Sequence, residues 1–187
     1  MTKKLAVFFP GIGYTVDKPL MYYSRKIAVS SGYEIKLLPY AGFPGKILGD
    51  RDRMRESYEI ALRQSEEMLA DVDLAAYDEV LFIGKSIGTI VAAELASRYP
   101  RRIRLVLYTP LEETFRFPLE DAIAFTGSND PWVGKDESRI GALCVKADIP
   151  YMLVEGGNHS LETGNAMTDI SNLQIIMKRT EEYVMNL

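Results

Sequence analysis

Hydrophobic residues in this chain gather into six short strand-like runs, several of them nearly unbroken, separated by helical-looking stretches. The runs are Leu5–Phe9, Tyr33–Pro39, Glu79–Ile83, Ile103–Tyr108, Ala122–Thr126 and Pro150–Val154. Several lack the polar alternation of a half-exposed strand, so they read as strands buried on both faces of a parallel sheet. The stretches between them predict helices over Lys18–Ser31, Arg53–Ala70, Ile87–Arg98, Lys135–Ala147 and Thr168–Met185. Asp17 is placed to cap the first helix, Pro19 is tolerated in its opening turn, and Gly32 lies just past its end. Alternation of strand and helix predicts a three-layer α/β architecture with right-handed crossovers. No repeat, low-complexity tract or linker interrupts it, so one domain over residues 1–187 is expected.

Two segments refine this layout. Residues Tyr40–Asp50 form a Gly/Pro-rich loop after a strand and should rim the carboxyl edge, where open α/β sheets bind ligands. Arg51 to Glu56 mixes both charge signs and reads as the solvated opening of a helix, with grip on an anionic substrate as the minor alternative.

The third run leads directly into Gly84-Lys85-Ser86-Ile87-Gly88, and a helix rich in small residues follows. Strand, Gly-x-Ser-x-Gly and helix in that order mark a nucleophile elbow. A sharp turn there lifts a serine above the sheet and presents the Ile87 N–H at a helix N-terminus, where unpaired amides and the helix dipole favour negative charge. The Gly-Lys-Ser inside it does not make a phosphate-binding loop. That motif needs a glycine separated by four residues from its Gly-Lys, where this chain has Glu79, and the four between, Val80 to Ile83, form an apolar strand.

Bulk properties narrow the classes. At 187 residues, 47% apolar and 26% charged, the chain can bury an ample core. Its formal charge, 22 − 26 = −4, and the lack of a dense basic cluster argue against nucleic acid as a partner. The apolar run after Lys4 is too short for a signal peptide, and no run approaches membrane-spanning length, so a soluble cytoplasmic protein is expected. The single cysteine, Cys144, excludes an internal disulfide and reads as a buried apolar filler.

The chain has one histidine, His159, so only one imidazole could activate Ser86. It lies in Glu155-Gly156-Gly157-Asn158-His159-Ser160, after the sixth run. Asp130 lies in Thr126-Gly127-Ser128-Asn129-Asp130-Pro131-Trp132, after the fifth. An open parallel sheet gathers such loops at one edge, so Ser86, Asp130 and His159 should meet although far apart in sequence. His159 would take the Ser86 proton and return it to the leaving group, while Asp130 fixes the tautomer. Taken singly, Asp130 is also an ordinary turn residue and His159 an ordinary loop residue. Together they require three coincidences in order. A second oxyanion donor is expected from Pro10-Gly11-Ile12-Gly13-Tyr14, with the Ile12 amide facing that of Ile87. Tyr14 could contribute its hydroxyl to the cleft or simply pack.

These segments resemble the α/β-hydrolase superfamily along essentially the whole chain. Phe-Pro-Gly-Ile-Gly-Tyr is similar to its oxyanion loop, Gly-Lys-Ser-Ile-Gly to its elbow, Gly-Ser-Asn-Asp-Pro to its acid loop and Gly-Gly-Asn-His to its base loop. The order Ser, Asp, His is the superfamily's order. Lys85 in the elbow resembles dienelactone-hydrolase-like relatives, whereas Pro10-Gly11 departs from the His-Gly frequent in the oxyanion loop. The resemblance implies an α/β-hydrolase fold of about six mainly parallel strands flanked by helices, and hydrolysis of an ester, thioester, amide or related bond without a cofactor or metal. A cap domain is often inserted between the fourth and fifth strands. Only Thr109–Glu120 intervenes here, so no cap is expected, and an open cleft should be edged by Phe115, Phe117, Trp132, Phe43 and Ile12. Each of these could instead pack beneath the loops. Glu112 or Glu113 is the fallback acid.

The reading expected from sequence is thus a serine hydrolase of small carboxylic esters or thioesters. The alternatives are a catalytically weak binding or interaction module on the same fold, and an acyltransferase. A small-molecule acyl substrate is the expected partner; an exposed edge strand could also pair two copies of the chain.

Overall fold

The computed structural model describes residues 2–133 and 139–186. Six strands, β1 (Lys4–Phe9), β2 (Tyr33–Leu37), β3 (Glu79–Lys85), β4 (Arg104–Tyr108), β5 (Ala122–Gly127) and β6 (Tyr151–Val154), form one sheet. Its order is β2-β1-β3-β4-β5-β6, and every adjacent pair is parallel. Five helices join them: α1 (Pro19–Ser30), α2 (Arg51–Leu69), α3 (Ile87–Ser97), α4 (Arg139–Lys146) and α5 (Ala166–Val184). This is the three-layer architecture expected from the alternating pattern.

The inner strands β1, β3, β4 and β5 are apolar on both sides because both sides are covered, whereas the edge strands β2 and β6 are partly exposed. Leu5, Val7 and Phe9 of β1 face α2, α3 and α4, in one cluster with Phe82, Leu105, Leu107, Val91, Ala92 and Cys144. Ala6 and Phe8 face α1 and α5, with Leu81, Ile83, Val106, Tyr108, Leu20 and Ile176. Helix α3 lies against the middle of the sheet and is buried along nearly its whole length, so its sequence carries no polar face. Cys144 fills the core, and burial pushes its thiol up to about 12.

Several boundaries differ from the expectation. Asp17 does not cap α1: Lys18 occupies that position without a side-chain cap, and Asp17 pairs with Arg25 at 3.7 Å. Asp50 caps α2, accepting from the Asp52 and Arg53 N–H groups, so the helix starts at Arg51. Strand β3 continues through Gly84 and Lys85, which pair with Leu107 and Tyr108 of β4. The first part of the helix expected from Lys135 lies outside the described residues. No helix among the described residues is long and apolar enough to cross a membrane.

Candidate active site

Because all six strands run the same way, the loops after β1, β3, β5 and β6 emerge at one edge of the sheet. Ser86 stands there between β3 and α3, with φ 56° and ψ −124°. An L residue rarely holds a positive φ, and this one is fixed from both sides. The Ser86 N–H donates to the Tyr108 carbonyl at 3.0 Å, and its own carbonyl accepts from the Thr89 N–H at 2.9 Å. The flanking glycines are required by contact. A Cβ on Gly88 would sit 2.0 Å from the Phe9 carbonyl oxygen, and one on Gly84 would sit 2.8 Å from the Thr89 Cα.

Asp130 and His159 come to the same point. The Ser86 hydroxyl donates to His159 Nε2 at 2.7 Å, and His159 Nδ1 donates to Asp130 Oδ2 at 2.7 Å. The other Asp130 oxygen accepts from the Trp132 N–H at 2.9 Å, and the Asp130 side chain is fully buried. The two loops are tied together beneath these side chains. Asn129 N–H donates to the Gly157 carbonyl at 2.9 Å, Ser128 N–H to the Val154 carbonyl at 3.1 Å, and Gly156 N–H to Ser128 Oγ at 2.7 Å. A Cβ on Gly127 would fall 2.1 Å from the Gly157 oxygen, so a glycine lets the loops close. The Asn158 side chain receives the Ser160 N–H at 2.7 Å and shapes the turn that carries His159. Sequence reasoning named the acid and the base but not Gly127, Ser128 and Asn158. Their signal was the small-polar and glycine composition of both loops.

Burial lowers the His159 pKa below its ordinary value; the Asp130 hydrogen bond opposes this, and the positive charge of Lys85 adds to it. The Trp132 and His159 rings lie 5.3 Å apart between centroids, tilted by 32°. Among the described residues, no group of three or more His, Cys, Asp or Glu converges to hold a metal ion. Glu112 pairs with Arg139, and it is Asp130 that holds the imidazole.

No family model matches this chain, and no curated protein does. Solved structures do. A proposed hydrolase of the α/β superfamily from Xanthomonas campestris aligns over 100% of both chains with TM-score 0.69 and 17% identity. An α/β serine hydrolase without a lid from the same species aligns over 96% of this chain and 83% of its own, with TM-score 0.62 and 14% identity. α/β hydrolase domain-containing protein 10 from mouse aligns over 96% and 88%, with TM-score 0.66 and 11% identity. The fold is that of the α/β-hydrolases.

The turn at Ser86 has the strand–turn–helix geometry expected of an elbow, and the segment expected to lack a cap lies between β4 and β5. Here that segment holds a short 3₁₀ turn, Glu112–Arg116, tied to α3 by the Thr114–Thr89 hydroxyl contact at 2.7 Å. The side chains expected to edge the cleft divide into groups. Ile12, Phe117 and Trp132 pack on Ile87, Ile90 and Leu111, together with Met54 and Tyr58 of α2. Phe43 and Phe115 pack instead against the large cluster under α2 and α3, and the Phe43 ring meets Tyr40 edge-on at 6.0 Å. Tyr14 is buried on the opposite side of the sheet with its hydroxyl accepting from the Leu20 N–H at 3.1 Å. Met54 and Tyr58, one helical turn apart, belong to this apolar patch beside the elbow and were not singled out in the sequence. Gly11 abuts the elbow, since a Cβ there would lie 3.3 Å from the Ser86 Cβ. The following residue, Ile12, therefore begins beside Ser86, and its amide and that of Ile87 have no hydrogen-bond partner among the described residues.

Proposed function

We propose that this chain is a serine hydrolase of small carboxylic esters or thioesters, working through an acyl-enzyme. The observation that carries the reading is the unbroken hydrogen-bond chain from Asp130 through His159 to Ser86, on a strained turn at a helix N-terminus. In this reading Ser86 Oγ attacks the substrate carbonyl as its proton passes to His159 Nε2. The imidazolium, held by Asp130, then protonates the departing alcohol or thiol. Water, deprotonated by the same nitrogen, attacks the acyl-enzyme and regenerates Ser86. The Ile12 and Ile87 amides, unpartnered among the described residues, are the candidate donors to the oxyanion, each worth about 10²–10³ in turnover. The absence of a cap-length segment between β4 and β5, and the half-buried Ile12, Phe117 and Trp132 surface, favour short acyl groups.

The test is turnover of a panel of nitrophenyl esters and acyl thioesters of increasing chain length by the native protein and by Ser86→Ala. The expected outcome is turnover of the short members and a loss of at least ~10³-fold in the variant. Equal turnover by the two proteins contradicts the assignment.

A further inference from the structure

Lys85, the last residue of β3, takes no part in the proton relay, yet only 1% of its surface is exposed. An ammonium so placed forfeits its hydration, and a buried methionine or leucine would fill the same space without that penalty. The other residues that β3 turns to this side, Leu81 and Ile83, are apolar. The Lys85 ammonium lies 5.0 Å from the centroid of the Tyr14 ring, a cation–π seat. Tyr14 cannot readily swing away, because its hydroxyl holds the Leu20 N–H at the start of α1.

The charged and titratable groups around Lys85 come from each neighbouring element. The loop after β1 supplies Tyr14, and β4 supplies Tyr108, opposite Lys85 in register, with its hydroxyl engaged by Ser24 of α1 and Thr180 of α5. The loop after β5 supplies Asp130, and the loop after β6 supplies His159, with Glu162 acting on Tyr14. Asp169 of α5 lines the same small cavity as Tyr14 and accepts from Thr163. Ser86, the residue after Lys85, donates to His159 Nε2 at 2.7 Å, and Asp130 holds the other ring nitrogen at 2.7 Å, so the ammonium and the relay share one neighbourhood at the end of β3.

We propose that Lys85 is a positioning residue for the relay: its ammonium, seated on Tyr14 one residue before the nucleophile, opposes a positive charge on His159 and so keeps the imidazole in the neutral form that accepts the Ser86 proton. The sign is fixed by electrostatics. A cation nearby disfavours the imidazolium, so His159 stays neutral to lower pH than it otherwise would. Burial pulls the Lys85 pKa down to about 7, against the pull of Asp130, and burial also moves the His159 pKa down from its ordinary value. To act in this way, Lys85 must stay charged while His159 titrates. The consequence for turnover rests on the serine-hydrolase reading; the effect on the imidazole does not.

Because the chain has one histidine, its ring proton NMR signals report on His159 alone. The experiment follows those signals against pH in the native protein, Lys85→Met and Lys85→Gln, and measures kcat/KM for a short ester over the same range. The expected result is a His159 midpoint raised by about one pH unit in the folded variants, with the acidic limb of kcat/KM raised alongside it. A midpoint unchanged or lowered overturns the proposal. A readout in the native protein needs no variant: the Lys85 ε-carbon signal must show the charged form throughout the His159 titration, and a neutral Lys85 there overturns the proposal too. A shifted midpoint in a protein that turns over no ester keeps the role of Lys85 and removes the hydrolase reading. Ester turnover with an unshifted midpoint does the reverse.

Discussion

Ser86 holds a φ of 56° that a glycine would accept without strain. Strain of this kind costs of order 1–3 kcal/mol and persists where the surroundings over-determine it, here through Tyr108 and Thr89. Ser86→Gly should therefore gain about 1 kcal/mol in urea unfolding while losing ester turnover; a destabilised Ser86→Gly would show that the turn is not strained. The imidazole makes a second prediction at this scale. Burial, assisted by Lys85 and opposed by Asp130, depresses the His159 pKa, so kcat/KM should fall to half below the ordinary imidazole value of ~6.5. A limb at or above that value contradicts the electrostatic account. Stability follows the same sign: the unfolded chain takes the proton first, so the share contributed by neutral His159 is complete above the ordinary imidazole range and is lost as pH falls through it.

At the scale of elements, both sides of the sheet combine apolar packing with hydroxyl contacts. On the α2–α3 side these are the pairs Tyr40–Ser65 and Thr89–Thr114, each at 2.7 Å, whereas on the other side α1, β4 and α5 share one buried three-membered chain. Tyr108 Oη meets Ser24 Oγ at 2.8 Å and Thr180 Oγ1 at 2.7 Å, and burial pushes the phenol up to about 12. Ser24 and Thr180 each also donate to a carbonyl in their own helix, so removing the tyrosine hydroxyl leaves neither without a partner. Tyr108→Phe is accordingly expected to cost only about 1 kcal/mol in urea unfolding, and a loss of several would mean the network matters more than its geometry implies. The elements themselves were legible in the sequence because the inner strands β1, β3, β4 and β5 are near-continuous apolar runs covered on both faces. Their ends were less so. Asp17 and Asp50 both precede helices, but only Asp50 folds back onto the amides two and three residues ahead. Nor did the pattern foretell that β3 would continue through Gly84 and Lys85, because that extension depends on β4 lying alongside.

Across the whole molecule, parallel strands turn distance in sequence into proximity at one edge. That rule made the meeting of Ser86, Asp130 and His159 readable from strand order alone, since each follows a strand end by a few residues. What it could not reach were contacts between loops: Gly127 against Gly157, Met54 arriving from α2 beside Ile87, and Tyr14 turning under the sheet toward Lys85. These depend on packing between segments that have no periodicity to read. The measurement that bears most directly on the account is reaction of the folded protein with a fluorophosphonate, followed by peptide mass spectrometry. A single adduct on Ser86, lost in His159→Gln, is the predicted result. A folded native protein that acquires no adduct at Ser86 contradicts the claim that this serine is an activated nucleophile.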